Sequence, residues 1–391
     1  MASTTNCQIC SSTNISTIYE ASDMPALIGV LWDKKEDAIH CPKGNITLAF
    51  CGDCGFIWNV EFNPTLLEYR GAYDNSLHFS QFYQEYAKSV ANRLVKNYKL
   101  YNKDIIEIGA GKIDFLLMLC ELGNNRGVGF DPSFNGISPG KGSKITLIKD
   151  YYSEKYSNYT GDLICSRHVF EHIPKPKEFL ALIRRTIDNR LNTIVYLEVP
   201  HVLFILSDLS VWDIIYEHCS YFNVTSLQRV FHVCGFKINS LTEVFGGQFL
   251  SIEAQPSDNV GDLTGTENDD IRTITILAKT FSENNKMRLR EWKDMLLKLE
   301  ASKKKIVVWG AGAKGVSFLN MLQIKDQIRY VVDVNPRKKD KYMPGTGHQI
   351  VLPSFLTEYK PDTVIVMNHL YKNEIQQTLK ELGLSAECVV A

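Results

Sequence analysis

The sequence lacks an excess of either charge: 43 lysines and arginines stand against 44 aspartates and glutamates, a formal net charge of -1. With no overall field to attract them, neither nucleic acid nor an anionic membrane is an expected partner. No apolar run approaches the roughly 20 residues needed to span a bilayer. The start, MASTTNCQIC, has neither the basic nor the apolar region of a secretory signal, so a cytoplasmic location is expected. No tandem repeat of fixed period appears. What remains is an ordinary globular composition, 45% hydrophobic and 22% charged, in 391 residues. That length is too great for one compact core and implies two or three domains.

Four of the ten cysteines form two pairs, Cys7-x2-Cys10 and Cys51-x2-Cys54. A two-residue spacing lets one tight turn present both thiolates to one ion, and four thiolates close a zinc tetrahedron. A closed tetrahedron leaves no position for a substrate, so the zinc would be structural. The 40 residues between the pairs require an insertion that loops out between the two knuckles. Free dithiols are the competing reading, and Cys41 or His40 could replace a ligand. The six scattered cysteines, mostly in apolar strings, read as small buried hydrophobes.

Texture divides the chain into four parts. Residues 1–75 hold the cysteine pairs in turn-rich segments of little periodicity. Residues 76–255 open with an amphipathic helix at 79–100. Strand-like runs follow at 104–108, 126–130, 144–149, 161–165 and 193–199, with helical segments between some of them, which is the rhythm of a doubly wound parallel sheet. Residues 235–255 suggest an antiparallel hairpin around Gly246-Gly247. Residues 256–303 read as a polar linker and a long helix from about 283. Residues 304–391 begin a second strand–helix alternation, a Rossmann-like α/β unit.

The run Asp104-Ile-Ile-Glu-Ile-Gly-Ala-Gly111 is an apolar strand that ends in glycines and opens a helix. Such a turn brings backbone N–H groups close to a ligand. A second strand ends in Asp131, 24 residues after Glu107, where a carboxylate can accept from both ribose hydroxyls. A dinucleotide fingerprint needs a third glycine where Asp114 stands. Glu107, which would repel a phosphate, suits the cationic methionine end of S-adenosylmethionine. Glu107, Gly109, Gly111 and Asp131 are therefore the candidate cofactor residues of a class I methyltransferase sheet. Asp150 is either an adenine contact or a strand-end cap.

A second glycine turn, Trp309-Gly-Ala-Gly-Ala-Lys-Gly315, is followed by a strand closing on Asp333. It reads either as a dinucleotide site or as backbone amides and Lys314 holding the diphosphate of a nucleotide-linked substrate. The run Arg337-Lys338-Lys339 reads as a solvated turn.

These features together resemble the three-domain sugar C-methyltransferases that act on nucleotide-linked deoxysugars. The resemblance covers nearly the whole chain through the cysteine module, EIGAGKIDFL, GVGFDPS, SRHVFEHIP, YLEVP, IYEHCSYF, KIVVWGAGAKGVSFLNML, the stretch from IRYVVDV to PGT, and PDTVIVMNH. It implies a zinc module, a methyltransferase domain and a C-terminal Rossmann-like domain. It also implies a nucleotide-linked 4-keto sugar methylated at carbon 3, with Gly310, Gly312, Lys314, Gly315 and Asp333 toward the nucleotide. The resemblance places the general base on His218, its accompanying glutamate on Glu217, a further histidine on His172 and a tyrosine on Tyr73, in Tyr69-Arg-Gly-Ala-Tyr73.

Carbon becomes nucleophilic once a proton beside a ketone is removed, so such a site needs a base near neutral pKa and donors for the oxyanion. His218 takes the first role. Glu217 orients it or binds a sugar hydroxyl, and Tyr73, His172 and Tyr221 are candidates for the ketone oxygen. Two departures from the family bear on the substrate. Ile215 stands where the family has a tyrosine, with Tyr216 one place along, and Asn368-His369 replaces an aromatic-Asn pair. Tyr216 and Tyr221 could instead be core, and His172 a helix cap. Other readings are a different activated ketone, an oxygen acceptor, or a non-catalytic zinc- and nucleotide-binding scaffold.

Overall fold

A computed structural model of the chain describes residues 6–67, 73–74, 76–134, 144–258, 267–324 and 326–391, apart from the side chains of 267–269. Tyr69 lies outside these residues. The central sheet has seven strands: Asp104–Ile108, Arg126–Phe130, Ile145–Ile148, Leu163–Arg167, Ile194–Pro200, Phe236–Val244 and Phe249–Pro256. In space they run third, second, first, fourth, fifth, seventh, sixth. The first five are parallel, and the last two form an antiparallel hairpin against the fifth. Its middle strands are apolar and buried on both faces, as Ile105, Ile106, Leu163, Ile164, Val195 and Leu197 illustrate. The preceding helix, Gln81–Asn97, is capped by Ser80 and buries Tyr83, Ala87, Val90, Ala91 and Leu94 along one helical stripe. This is the class I methyltransferase fold.

The order of that sheet reverses at its first strand, which has the second on one side and the fourth on the other. A crevice opens there, beyond the strands' carboxyl ends, and the Gly109–Gly111 turn lies in it. The C-terminal sheet repeats the plan with five parallel strands in the order Gln349–Val351, Tyr330–Val332, Ile306–Trp309, Thr363–Val366, Glu387–Val390. Its reversal point is Ile306–Trp309, so the Gly310–Gly312 turn occupies the matching crevice.

The N-terminal region is more regular than its sequence suggests. Ile15–Pro25 and Lys43–Cys51 form an antiparallel pair, with Ile57–Asn59 alongside. The insertion between the cysteine pairs is a β-hairpin with a short helix at its tip. A fourth strand, Ser220–Tyr221, comes from the methyltransferase region and joins this sheet at Ile57–Asn59. The long helix also differs from expectation. It runs Glu267–Ala301, so part of the expected linker is helical. It is a spine, burying Ile274, Ala278, Phe281, Trp292 and Leu296 in a core shared with Tyr19, Trp212 and Phe318 of the flanking regions. Among the described residues, no helix is long and apolar enough to cross a membrane.

Candidate active site

A cavity of about 780 Å³ reaches from the first glycine turn to the second. Glu107, Gly109, Gly111, Asp131 and Asp150 line one end, Tyr73, His172 and His218 the middle, and Gly310, Gly312, Lys314, Gly315 and Asp333 the other end. Thirteen residues singled out from sequence, far apart along the chain, thus share one space.

At the cofactor end, the Asp131 carboxylate accepts from the Gly111 N–H at 2.8 Å and from Ser133. The Glu107 carboxylate, 4% exposed, accepts from the Leu116 N–H at 3.1 Å. Burial pushes Glu107 up to about 8, against the opposing pull of Arg167 and the Leu116 N–H. Gly109, at φ +77, is needed because a Cβ there would meet Val169 at 2.2 Å. A Cβ on Gly111 would meet nothing within 4 Å, so its backbone is open to a ligand. A buried and a half-buried carboxyl group beside this turn fit an ammonium group and ribose hydroxyls. Asp150 is engaged by the Tyr156 hydroxyl, the Tyr151 N–H and Lys155, which supports its reading as a strand-end cap.

In the middle, two segments zip together. The Cys219 N–H donates to the Glu171 carbonyl, His172 Nδ1 lies 3.0 Å from the Glu217 carbonyl, and Ser220 Oγ donates to the Ile173 carbonyl. Phe170 stacks on Phe222 behind them. These bonds set the His172 and His218 rings edge to face, 5.0 Å apart. The His172 bond to a carbonyl fixes its proton on Nδ1. Burial pushes His218 down to about 3, the charge of His172 acting in the same direction and Glu171 against it. His218 is thus neutral at pH 7, and its Nδ1 is buried with no hydrogen-bond partner among the described residues.

Two expected site residues stand elsewhere. Glu217, fully buried, does not line the cavity; it accepts from the Tyr73 hydroxyl at 2.9 Å and the Ile28 N–H at 2.6 Å. It orients Tyr73, and a sugar hydroxyl cannot reach it. Tyr73 packs against Gly29, where a Cβ would strike its ring at 2.7 Å. Tyr221 is 2% exposed, and its hydroxyl donates to the Ile215 carbonyl at 3.3 Å, so it is core and cannot meet a ketone. Tyr216 turns away as well: its hydroxyl accepts from the Asn63 N–H at 2.8 Å, while Ile215 faces the cavity.

Sequence reasoning missed three residues here. His168, at φ +55, has Nε2 3.0 Å from Glu198 and Nδ1 3.8 Å from Glu171. Burial alone would lower its pKa, but the two carboxylates outweigh this and hold it at about 9, so it is an imidazolium at pH 7. Glu198 is fully buried and also holds Arg167 at 2.8 Å and the hydroxyls of Tyr86 and Tyr196. Glu171 is 2% exposed. The available signal was a charged residue inside an apolar run, Glu198 in IVYLEVP and Arg167-His168 after LICS, since buried charges require partners.

At the far end, Lys314 is bound to Asp213 at 2.7 Å and Ser210 at 3.1 Å. Gly315 serves packing rather than a ligand: a Cβ there would lie 2.0 Å from the Gly310 carbonyl oxygen. Asp333 accepts from the Ala311 N–H at 2.9 Å and from Lys338 Nζ at 3.0 Å. Lys338, 6% exposed, is therefore an internal counter-ion, contrary to the solvated turn expected. Asn368 pairs through both amide atoms with Gln248 of the central-sheet hairpin.

The four paired cysteines also converge. Sγ atoms of Cys7 and Cys54, and of Cys10 and Cys51, lie 3.5 Å apart, and all four are within 4.8 Å of one another. A disulfide requires about 2.05 Å, and a tetrahedron with metal–sulfur bonds of about 2.3 Å has edges of about 3.8 Å. The donor set fits zinc.

Residues 79–241 match the family model described as a methyltransferase domain, and residues 244–389 match the C-methyltransferase C-terminal domain. The chain is similar to the C-methyltransferase NovU of Streptomyces niveus, 23% identical over 298 residues, covering 71% of this chain and 69% of that protein. This is an S-adenosylmethionine-dependent C-methyltransferase. Among solved structures, the methyltransferase is similar to the 1,6-didemethyltoxoflavin-N1-methyltransferase of Burkholderia thailandensis, at 15% identity and a TM-score of 0.34 over 45% of this chain and 81% of that one. It is also similar to the magnesium protoporphyrin IX methyltransferase of Synechocystis, at 14% identity and a TM-score of 0.34 over 45% and 84%.

Proposed function

We propose that this methyltransferase acts on carbon 3 of a nucleoside-diphosphate-linked 4-keto-deoxysugar, with His218 as the base that forms the enolate. The observation that carries the reading is the single cavity joining the Glu107–Asp131 end, the histidines and the second glycine turn. A space lined by both glycine turns and the histidines suits an acceptor with a reactive ring at one end and a nucleotide at the other. Glu107 and Asp131 would hold the ammonium and ribose of S-adenosylmethionine, which supplies an electrophilic methyl group when bound. His218, neutral and cavity-lining, takes the proton beside the ketone. The His168 imidazolium supplies positive charge where the oxyanion develops, while the Tyr73 hydroxyl, whose proton goes to Glu217, helps shape the wall of the site. The Gly312 N–H and Lys314 would receive the diphosphate, the Gly310 and Ala311 N–H groups being held by the Val332 carbonyl and Asp333. Ile215 in place of a family tyrosine removes a hydroxyl from the sugar end, so the accepted sugar differs from the family's usual one. Cys7, Cys10, Cys51 and Cys54 would hold a structural zinc that locks the hairpin against Ser220–Tyr221, next to the base.

The test is a mass-spectrometric assay in deuterium oxide with S-adenosylmethionine and thymidine- or uridine-diphosphate-linked 4-keto-6-deoxyhexoses. Wild type should add one methyl group and exchange the proton beside the ketone, and His218→Ala should lose both. Full exchange in the variant would place the base elsewhere.

A further inference from the structure

A neutral imidazole in a buried site accepts a proton only if the resulting positive charge is stabilised. The surroundings of His218 supply one group suited to this. Glu171 follows the fourth strand of the central sheet in the Phe170–His172 turn, and its backbone carbonyl is fixed by the Cys219 N–H, one residue past His218. Its carboxylate is 2% exposed, and neither oxygen has a hydrogen-bond partner among the described residues. One carboxylate oxygen and one ring nitrogen from each of His172 and His218 all lie within 4.8 Å of one another. A buried carboxylate that faces a cation without a hydrogen bond to it keeps its lone pairs available to a further charge that appears in the working cycle.

Other charges facing this pair do not replace it. Glu217 is turned to Tyr73 and Ile28, with its nearer oxygen 4.0 Å from His172 Nδ1. Glu198 is taken by Arg167 and His168. His168, 3.8 Å from Glu171, balances that carboxylate in the resting state but cannot itself stabilise an imidazolium. Tyr221 and Cys219 are neutral neighbours, the Tyr221 hydroxyl bound to Ile215 and the Cys219 thiol to the Glu171 carbonyl.

We propose that Glu171 is the positioning residue of the base, the counter-ion that holds the His218 imidazolium formed when the substrate proton is removed. This rests on His218 being the base. In the step, the C–H bond beside the ketone breaks and the proton goes to His218. The C–H electron pair becomes the enolate double bond, and the carbonyl pair moves to oxygen. Because His218 Nδ1 is buried and unpartnered, Nε2 is the nitrogen that meets the substrate. The charge then spreads toward Nδ1 and the Glu171 carboxylate, as in a base oriented by a third group.

The test is deuterium exchange of the same sugar nucleotides, across pH, in Glu171→Gln, Glu171→Asp and His218→Gln. Glu171→Gln keeps shape and removes charge. Exchange should fall on the order of 100-fold, the lower end of what general-base catalysis contributes. The acid limb of kcat/KM should move to lower pH, because loss of a negative neighbour lowers the pKa of His218. Glu171→Asp should recover part of the rate, and S-adenosylhomocysteine affinity and Tm should stay near wild type in both. If His218→Gln abolishes exchange while Glu171→Gln exchanges at the wild-type rate with an unmoved pH profile, this inference fails and the base assignment stands. If His218→Gln exchanges normally, the base assignment itself fails. A second equivalent of bound metal, lost in Glu171→Gln, would also overturn it by making Glu171 a ligand.

Discussion

Two strands in this molecule, Asp104–Ile108 and Ile306–Trp309, each end in a glycine turn that opens a helix, and in both the acid after the neighbouring strand accepts a turn N–H. Around that shared backbone the charges differ. Two residues before the first turn stands buried Glu107, and at the same place before the second stands buried Val308. Asp131 is met by backbone and a serine, whereas Asp333 is neutralised by buried Lys338, with Lys314 at the helix start. One crevice offers negative charge and the other does not. The scaffold repeats one turn at two reversal points, and a few side chains set the charge that each turn presents.

The glycines break this comparison most strongly. Gly315→Ala puts a Cβ against a backbone oxygen that cannot move aside, and should destabilise the chain by about 3 kcal/mol. Gly111→Ala meets only open space, and should cost roughly 1 kcal/mol for its left-handed backbone. Its larger effect should be on ligand affinity, about tenfold for S-adenosylhomocysteine, because the methyl fills the space where backbone approaches ligand. Urea titration and calorimetry measure both. Equal stability losses would mean that the two turns do not divide packing and binding as described.

The counter-ion comes next. Lys338→Met leaves Asp333 enclosed without its partner and should cost about 3 kcal/mol. Glu107→Gln removes a buried acid that has no cationic side chain bonded to it, and should be nearly neutral in stability at pH 4 and stabilising at pH 7. A small loss for Lys338→Met would show that Asp333 is solvated enough to stand alone.

Lys314 sharpens the anionic side. Lys314→Ala should weaken nucleoside-diphosphate binding about fivefold, near 1 kcal/mol, and less so at high salt. Asp213→Asn should act in the opposite direction, because it frees the ammonium now held at 2.7 Å. Titration with uridine and thymidine diphosphates reads both. Changes of the same sign would remove Lys314 from the nucleotide site.

The strands and turns of both α/β units were legible because a strand buried on two faces is a continuous apolar run, and few residues other than glycine make such turns. The N-terminal sheet was not. Register shifts between Thr17 and Tyr19 and between Ala21 and Met24 break the alternation by which a half-buried strand is recognised. Gln349–Val351 is too short to show a period. In the site, residues on glycine turns and the paired histidines could be read, since their chemistry is local. Lys338, Glu198 and Glu171 could not, because each is explained by a partner that only folding brings near. Tyr216 and Ile215 show the limit most directly: adjacent in sequence, they face opposite ways, and the cavity receives the one without a hydroxyl.

The proton bound by Glu107 gives the test most specific to the first crevice. Glu107 in the free protein stands at about 8, against an ordinary carboxyl value of 4.5. The folded state therefore binds a proton between those values that the unfolded chain has lost. Stability from this group is full below pH 4.5 and falls as pH rises through 8, with a slope of up to about 1.4 kcal/mol per pH unit. A ligand ammonium beside the carboxylate reverses the balance and returns the pKa toward its ordinary value. S-adenosylhomocysteine binding at pH 7 should then release up to one proton per site. The release appears as a difference in binding enthalpy between buffers of different ionisation enthalpy. Glu107→Gln should abolish it and flatten the stability slope, while nucleoside-diphosphate binding at the second turn should release none. Identical enthalpies in both buffers for wild type would mean that Glu107 does not meet the ligand's charge, and the contrast between the two turns would then rest on Asp131 and Lys338 alone.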